Sequence, residues 1–252
     1  MDGLNGPFVL TSLLLAHTRP RVSELALGIA FGIKFWPIIL LPLLWRHLWG
    51  HWRQLASLFI IFAVLAVIGL WPQIFAGLDQ KSGLIAYAPS WNRNGALIIA
   101  LESLAGLIAG NDQVTDFAPL FARGLSTIAM VSTRFILSLR PIEGIHQLIA
   151  RATLAAGALV LLSPAQYPWY STWVAPLLAL HPVSGLLLLP IVLPLYELYF
   201  FFNARGMNWI FPFYIVWLIW IPIWTTLFVV DGRFWWRKNL DEYGGRLRRW
   251  LN

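Results

Sequence analysis

The chain contains no cysteine. That excludes a disulfide framework and any thiolate metal site. Charge is scarce as well: only 12% of the 252 residues are Asp, Glu, Lys or Arg. A soluble domain carries roughly 25%. So little polar surface does not cover a globule, and the composition is that of an integral membrane protein. The five histidines show no HExxH spacing. No GxxxxGK[ST], GxGxxG or GxSxG is present, which disfavours a nucleotide-driven motor, a Rossmann-type nucleotide-sugar enzyme and a nucleophile-elbow hydrolase. The opening "MDGLNGPFVLTSLLLAH" lacks a basic n-region and a small-residue cleavage site, so no signal peptide is expected. Neither an internal repeat nor a soluble domain is visible.

What the chain does have is hydrocarbon and aromatic rings. Hydrophobic residues make up 59%, with 15 Trp and 16 Phe, and many of these rings sit near the ends of apolar runs, as in an interfacial belt. The alternating short strands of an outer-membrane barrel are missing. Helices then remain as the way to satisfy backbone groups in lipid. A spanning helix needs about 20 apolar residues. The apolar segments are 4–16, 22–45, 55–77, 95–109, 117–139, 149–163, 172–181, 185–202 and 208–230. The expected fold class is all-α: a polytopic transmembrane bundle over 1–230, with about seven to nine membrane helices, some short or broken. Residues 95–109 are expected as a short interfacial helix. Residues 231–252 are expected as a basic amphipathic cytoplasmic tail.

The formal net charge of +7 lies largely in that tail, "RFWWRKNLDEYGGRLRRWLN". Basic flanks belong at a cytoplasmic membrane end and hold anionic lipid, so no nucleic-acid partner is implied. With the tail inside, "PAQYPWYS" and the whole of 78–116 fall outside, while Arg46, Arg53, Arg140 and Arg151 fall inside. Arg19 and Arg21 also prefer the inside. That requires 22–45 to fold back near Lys34–Pro37 as a hairpin of two short helices, which is the preferred reading; a single span would place them outside. Three polar-aromatic breaks then share the outer face: "KFWP" (34–37), "YAPSWNRNG" (87–95) and "PAQYPWYSTW" (164–173). Irregular backbone at membrane depth is tolerated where it is buried in protein or lines a wet cavity. The breaks read as the rim of one cavity.

Each candidate residue on that rim has two readings. Lys34, in "LGIAFGIKFWPIILLP", is either a lysine snorkelling at a helix end or a cation held for an anionic ligand such as a lipid phosphate. A charge at mid-membrane costs about 2.5–3.5 kcal/mol on insertion scales. Arg93, flanked by Asn92 and Asn94 and following Trp91, is either part of a solvated loop or a guanidinium for phosphate beside amides and a ring for a sugar. Gln166, Tyr167, Trp169, Tyr170 and Trp173 lie among prolines that forbid a continuous helix. They form either an aromatic belt or a ligand wall. Glu102 reads as the polar face of its helix. Arg134 and Glu197 are ionisable groups within spans, which usually face a bundle interior or a partner.

Taken in order, the breaks resemble a family. "SELALGIAFGIKFWPIILLPLLWRHLW" resembles the G-x-x-x-G-x-x-x-K-x-x-P-x-x-x-x-P helix pair of polytopic GT-C-type glycosyltransferases, the mannosyltransferase-like enzymes that use polyprenyl-phosphate-linked sugars. The matching positions are Gly28, Gly32, Lys34, Pro37 and Pro42, with looser spacing. "YAPSWNRNGAL" resembles the family's aromatic-Asn loop, and "LLSPAQYPWYSTWVAPLLAL" its S-P-x-x-x-P-W-Y-x-x-W-x-x-P segment, the most specific of the three. The resemblance covers about 3–181, and the last two helices match only in kind. It implies inverting transfer of a hexose, mannose above all, from a polyprenyl-phosphate donor to a glycan, lipid or protein acceptor at the outer face. Lys34 and Arg93 would bind the donor phosphate. Trp91, Asn92, Asn94, Gln166, Tyr167, Trp169 and Tyr170 would bind sugar or acceptor.

The family's acidic catalytic base, in a first outer loop, has no counterpart here, and Asp2, Asp79, Asp112 and Asp116 match no motif. The chain therefore looks like the carboxyl-terminal part of a longer enzyme, or like a subunit whose partner supplies that region. No cofactor is assigned, and a divalent metal would have its acidic site in the absent part. Two alternatives stand beside this reading: a transporter or flippase of a lipid-linked or anionic solute, and a non-catalytic membrane subunit. The expected location is the cytoplasmic membrane of a prokaryote, with the carboxyl terminus inside.

Overall fold

The computed structural model describes residues 4–75, 94–109 and 114–233. These are mostly helical, with no β-strand among them. Five segments are long and apolar enough to cross a membrane: Trp52–Trp71, Phe117–Leu139, Ile145–Leu162, Ser184–Asn203 and Phe211–Asp231. Shorter apolar helices accompany them, so the all-α membrane bundle holds. The chain divides into two compact units, Met1–His181 and Pro182–Asn252. The proposed tail, from residue 234 onward, lies outside the described residues.

The first unit begins with helix α1 (Asn5–Leu15), which turns back into α2 (Pro20–Ile33). Pro20 opens α2 at a position where its missing N–H costs nothing. Ser23 Oγ donates to the Ser12 carbonyl across the pair at 2.7 Å. α2 stops because Pro37 has no N–H for the Ile33 carbonyl. Lys34 is extended there, with φ −149° and ψ 142°. The chain resumes as a 3₁₀ turn (Trp36–Leu40) and then α3 (Leu41–His47). Pro20, Ser23 and Glu24 at the start of α2 line one small cavity with Leu44 and Leu48 at the far end of α3. The chain has therefore reversed near Lys34, and residues 22–45 form the hairpin. Arg19 and Arg21 lie at the same end of the unit as Arg46, which we call the basic end.

Helix α4 (Trp52–Phe75) crosses α2 closely. A Cβ on Gly69 would lie 3.2 Å from Gly32 Cα, and one on Gly28 would lie 3.1 Å from Leu65 Cβ. Small residues let membrane helices approach until their backbones touch. Phe31 and Phe62 fill the space beside this contact, with ring centroids 5.0 Å apart. Gly69→Val should force the helices apart and cost about 1–3 kcal/mol. The check is a lowered midpoint of thermal unfolding in detergent, with Gly124→Val, whose Cβ meets nothing within 4 Å, as the silent control.

Helix α5 (Ala96–Ala109) packs along α6 (Val114–Leu139). α7 (Ile145–Leu162) is the most enclosed of the long helices, with 44% of its span buried against 11% for the spans of α4 and α6. Arg151 of α7 clamps the end of α6. Its Nη1 donates to the carbonyls of Leu137 (3.0 Å) and Arg140 (2.6 Å), and its Nη2 to that of Pro141 (2.9 Å). These are carbonyls that a helix end leaves without partners, and a cation there also suits the helix dipole. α8 (Ser171–Leu178) closes the unit beside α1.

The second unit pairs Ser184–Asn203 with Phe211–Asp231. Pro190 and Pro194 break the first into short α and 3₁₀ pieces, and π turns flank the α core of the second. Asp231 ties the two together: Oδ1 accepts from the Ser184 N–H at 3.0 Å and Oδ2 from the Gly185 N–H at 2.9 Å. This is an N-cap supplied by the neighbouring segment. Asp231→Ala should lower the stability of this unit by about 0.5–2 kcal/mol. Faster proteolysis or hydrogen exchange confined to 184–231 would register it, while Asp231→Asn should lose less.

Candidate functional site

The site is built at the carboxyl end of α7. Pro164 and Pro168 stop the helix, and its last carbonyls need other donors. Ser163 N–H donates to Leu159 at 3.0 Å. Gln166 Nε2 reaches back to Leu161 at 3.0 Å. Ser126 Oγ, from α6, donates to Leu162. Ser163 Oγ donates to the Ala165 carbonyl at 2.9 Å and so fixes the turn. The chain then makes a 3₁₀ turn (Pro168–Tyr170) into α8.

The second break docks onto this one. Asn94 is buried, has φ +61° and donates from Nδ2 to the Gln166 carbonyl at 3.0 Å. Asn is among the few residues that adopt this left-handed conformation readily. A Cβ on the next residue, Gly95, would lie 3.1 Å from the Pro164 carbonyl oxygen. Here glycine permits two backbones to lie against each other. Residues 94–95 and 164–166 are thus one joint, although 70 residues separate Asn94 from Pro164.

The third break joins through rings. Trp36 stacks on Trp173, with centroids 5.8 Å apart and planes 10° from parallel. Trp173 stacks on Tyr170 at 4.0 Å. Tyr170 meets Tyr167 edge-on at 5.7 Å, and Tyr167 stacks on Trp169 at 4.5 Å and 7°. This ladder runs from the interior to the surface. Trp36 is 6% exposed and Trp169 is 42% exposed. Lys34 is half-buried, two residues before Trp36 and at the carboxyl end of α2. A cation is favoured at that end of a helix. Lys34, Trp36, Asn94 and the 166–173 segment therefore lie at one end of the unit, which we call the aromatic end.

Of the residues singled out in the sequence, Lys34, Asn94, Gln166, Tyr167, Trp169 and Tyr170 come to this end. Trp91, Asn92 and Arg93 lie outside the described residues, as do Asp2, Asp79 and Asp112. Gln166 is engaged structurally through Nε2 and is 1% exposed. Glu197 is exposed in the second unit, and Arg134 is half-buried in α6. Among the described residues, no three His, Asp or Glu side chains group as metal ligands.

Two features escaped the sequence reading. Trp173 was singled out with its neighbours, but its partner Trp36, the other half of the joint, does not stand out in a chain with 15 tryptophans. Glu24 is 1% exposed, with Oε2 3.5 Å from Ser57 Oγ and no partner for Oε1. Its signal was a carboxylate inside an apolar run. It lies at the basic end, ten residues and so about 15 Å of helix from Lys34. It does not stand beside the aromatic groups and is not placed to serve as their base.

Residues 96–230 match the family model described as the MptB C-terminal domain. The match takes in the 164–173 break and α5 to α8. It also takes in both segments of the second unit, which the sequence reading had likened to the family only in kind. Lys34 and Trp36 precede it. No curated protein and no solved structure matches the chain.

Proposed function

The chain belongs to the MptB C-terminal domain family, a mannosyltransferase-like family of integral membrane proteins, and we propose that it is a membrane glycosyltransferase or the carboxyl-terminal part of one. It takes a hexose, mannose in the first instance, from a polyprenyl-phosphate donor. It passes the sugar with inversion to a glycan, lipid or protein acceptor. The aromatic end faces outward, and the basic end faces the cytoplasm of a prokaryotic cell. The observation that carries this reading is the convergence of three helix breaks, through the Asn94–Gln166 bond and the Trp36–Trp173 stack, beside Lys34.

In this reaction the acceptor hydroxyl oxygen attacks the anomeric carbon. The bond from that carbon to the phosphate oxygen breaks, and the polyprenyl phosphate leaves with its electron pair. A carboxylate base takes the hydroxyl proton. Lys34 holds the phosphate as negative charge grows on the leaving oxygen, and Arg93 is assigned to the same phosphate. Tyr167 and Trp169 offer ring faces to the sugar or acceptor, and Trp91, Asn92 and Asn94 are assigned to the same sugar or acceptor. The base is assigned to a carboxylate outside this constellation, on a longer form of the chain or on a partner subunit.

The test is transfer of labelled mannose from polyprenyl-phosphate-mannose by membranes that contain the chain, with the anomeric configuration of the product determined. Solute uptake into vesicles without any transfer would favour a transporter instead.

A further inference from the structure

Among the described residues, the buried half of the aromatic end holds hydrogen-bonding atoms with no hydrogen-bond partner. Trp36 Nε1 and Trp173 Nε1 are buried donors without an acceptor. Gln166 Oε1 is a buried acceptor without a donor. Asn5, 1% exposed at the start of α1, has neither amide atom bonded. The next residue, Gly6, lies against Pro176, one turn beyond Trp173: a Cβ there would come 2.9 Å from Pro176 Cγ. Other buried polar atoms without partners include those of Glu24, Trp45, Arg46 and Arg134, but the four side chains at this end are all uncharged, and native proteins leave few such groups.

Their chemistry is uniform. An indole N–H only donates, and an amide both donates and accepts. None of the four carries charge. A phosphate oxygen is best met by a charged donor, and half-buried Lys34 already offers that. Hydroxyl groups, which donate one hydrogen bond and accept up to two, are what an uncharged mixed set of donors and acceptors fits. The rings supply the matching apolar face. Because Trp36 and Trp173 are stacked and their nitrogens are out of solvent, a ligand reaches these atoms only when the stack parts.

We propose that Trp36 and Trp173 are specificity-determining residues, whose indole N–H groups, together with Gln166 Oε1, bind hydroxyl groups of the transferred sugar while Lys34 keeps the phosphate. The proposal rests on the glycosyltransferase reading and assigns the sugar subsite within it. A site built to hydrogen-bond hydroxyls rejects analogues that lack them, because its own polar atoms are then left buried and unpaired.

The experiment measures binding of two probes to the full chain in detergent: a short-chain polyprenyl-phosphate-mannose and the same polyprenyl phosphate without sugar. Trp36→Phe and Trp173→Phe remove the N–H and keep a ring. Replacement of either tryptophan by β-(3-benzothienyl)alanine removes the N–H at constant shape and guards against misfolding. Each change should weaken the mannose-bearing probe on the order of 10-fold, the effect of losing one hydrogen bond. The sugar-free probe should bind as before. Equal losses for both probes would mean a structural role and overturn the proposal. Unchanged binding of both probes by the benzothienyl variants would overturn it too, while leaving the glycosyltransferase reading intact. Failure of the unmodified chain to bind either probe would remove that reading and the inference together.

Discussion

Lys34→Ala is expected to lower the proposed sugar transfer from a polyprenyl-phosphate donor by about 10²–10³-fold, the scale of losing one group that stabilises developing negative charge. The argument begins with position. α2 ends at Ile33 because of Pro37, and the extended residue after it is Lys34. Lys34 therefore follows the helix at the aromatic end, two residues before Trp36, which stacks on Trp173. In a site poor in water a point charge acts strongly on an oxygen that gains charge during the reaction. Lys34→Arg should retain part of the rate, since it keeps the charge but not its compact geometry. Lys34→Met tests the other reading of this residue. A lysine that only snorkels at a helix end would be replaced by methionine with near-normal transfer. Membrane insertion and thermal stability should stay close to those of the unmodified chain, which separates loss of chemistry from loss of fold.

The second large effect is expected at Gln166. Its Nε2 is the donor for the Leu161 carbonyl, one of the last carbonyls of α7, and the side chain is buried. Gln166→Leu leaves that carbonyl without a partner, which costs about 1–3 kcal/mol. Gln166→Glu should cost more, because an ionised carboxylate only accepts and would face the carbonyl oxygen with like polarity. Gln166 also offers its own carbonyl to Asn94 Nδ2, so a shifted turn pulls the 94–95 backbone with it. Both variants should unfold at lower temperature and lose transfer together. Stability and activity falling in step is the signature of a residue that holds the joint, in contrast to Lys34, where activity falls alone. Differential scanning of the purified proteins in detergent, set beside their transfer rates, checks this.

Much of the architecture could be read from single residues. Proline placed the breaks, because a missing N–H and a ring clash act locally. Arginine placement favoured the hairpin at Lys34, and the cavity shared by Pro20, Ser23, Glu24, Leu44 and Leu48 bears it out. The apolar runs 117–139, 185–202 and 208–230 reappear as Phe117–Leu139, Ser184–Asn203 and Phe211–Asp231. The location of the breaks on one face was also legible, since it needed only helix parity.

What stayed hidden was pairing. Nothing local in "WNRNG" says that Asn94 takes a left-handed backbone and donates to Gln166. That depends on where α7 ends in space. Trp36 could not be picked from 15 tryptophans as the partner of Trp173, because stacking is a tertiary property. Asp231 read as the first residue of a basic tail, and its role as a cap for Ser184 and Gly185 emerges only when the two segments of the second unit lie side by side. Gln166 was read as a ligand group, and the structure gives its Nε2 a capping bond. A polar side chain in a helix break serves the helix end first, since carbonyls stranded there must be satisfied.

The most direct test of the central claim is mannose transfer by membranes from cells that lack this chain, before and after its return. The account predicts that transfer from polyprenyl-phosphate-mannose disappears with the chain. It predicts that transfer returns with the unmodified sequence, gives an inverted linkage, and fails to return with Lys34→Ala. Transfer at the full rate in membranes without the chain, or full restoration by Lys34→Ala, would contradict it.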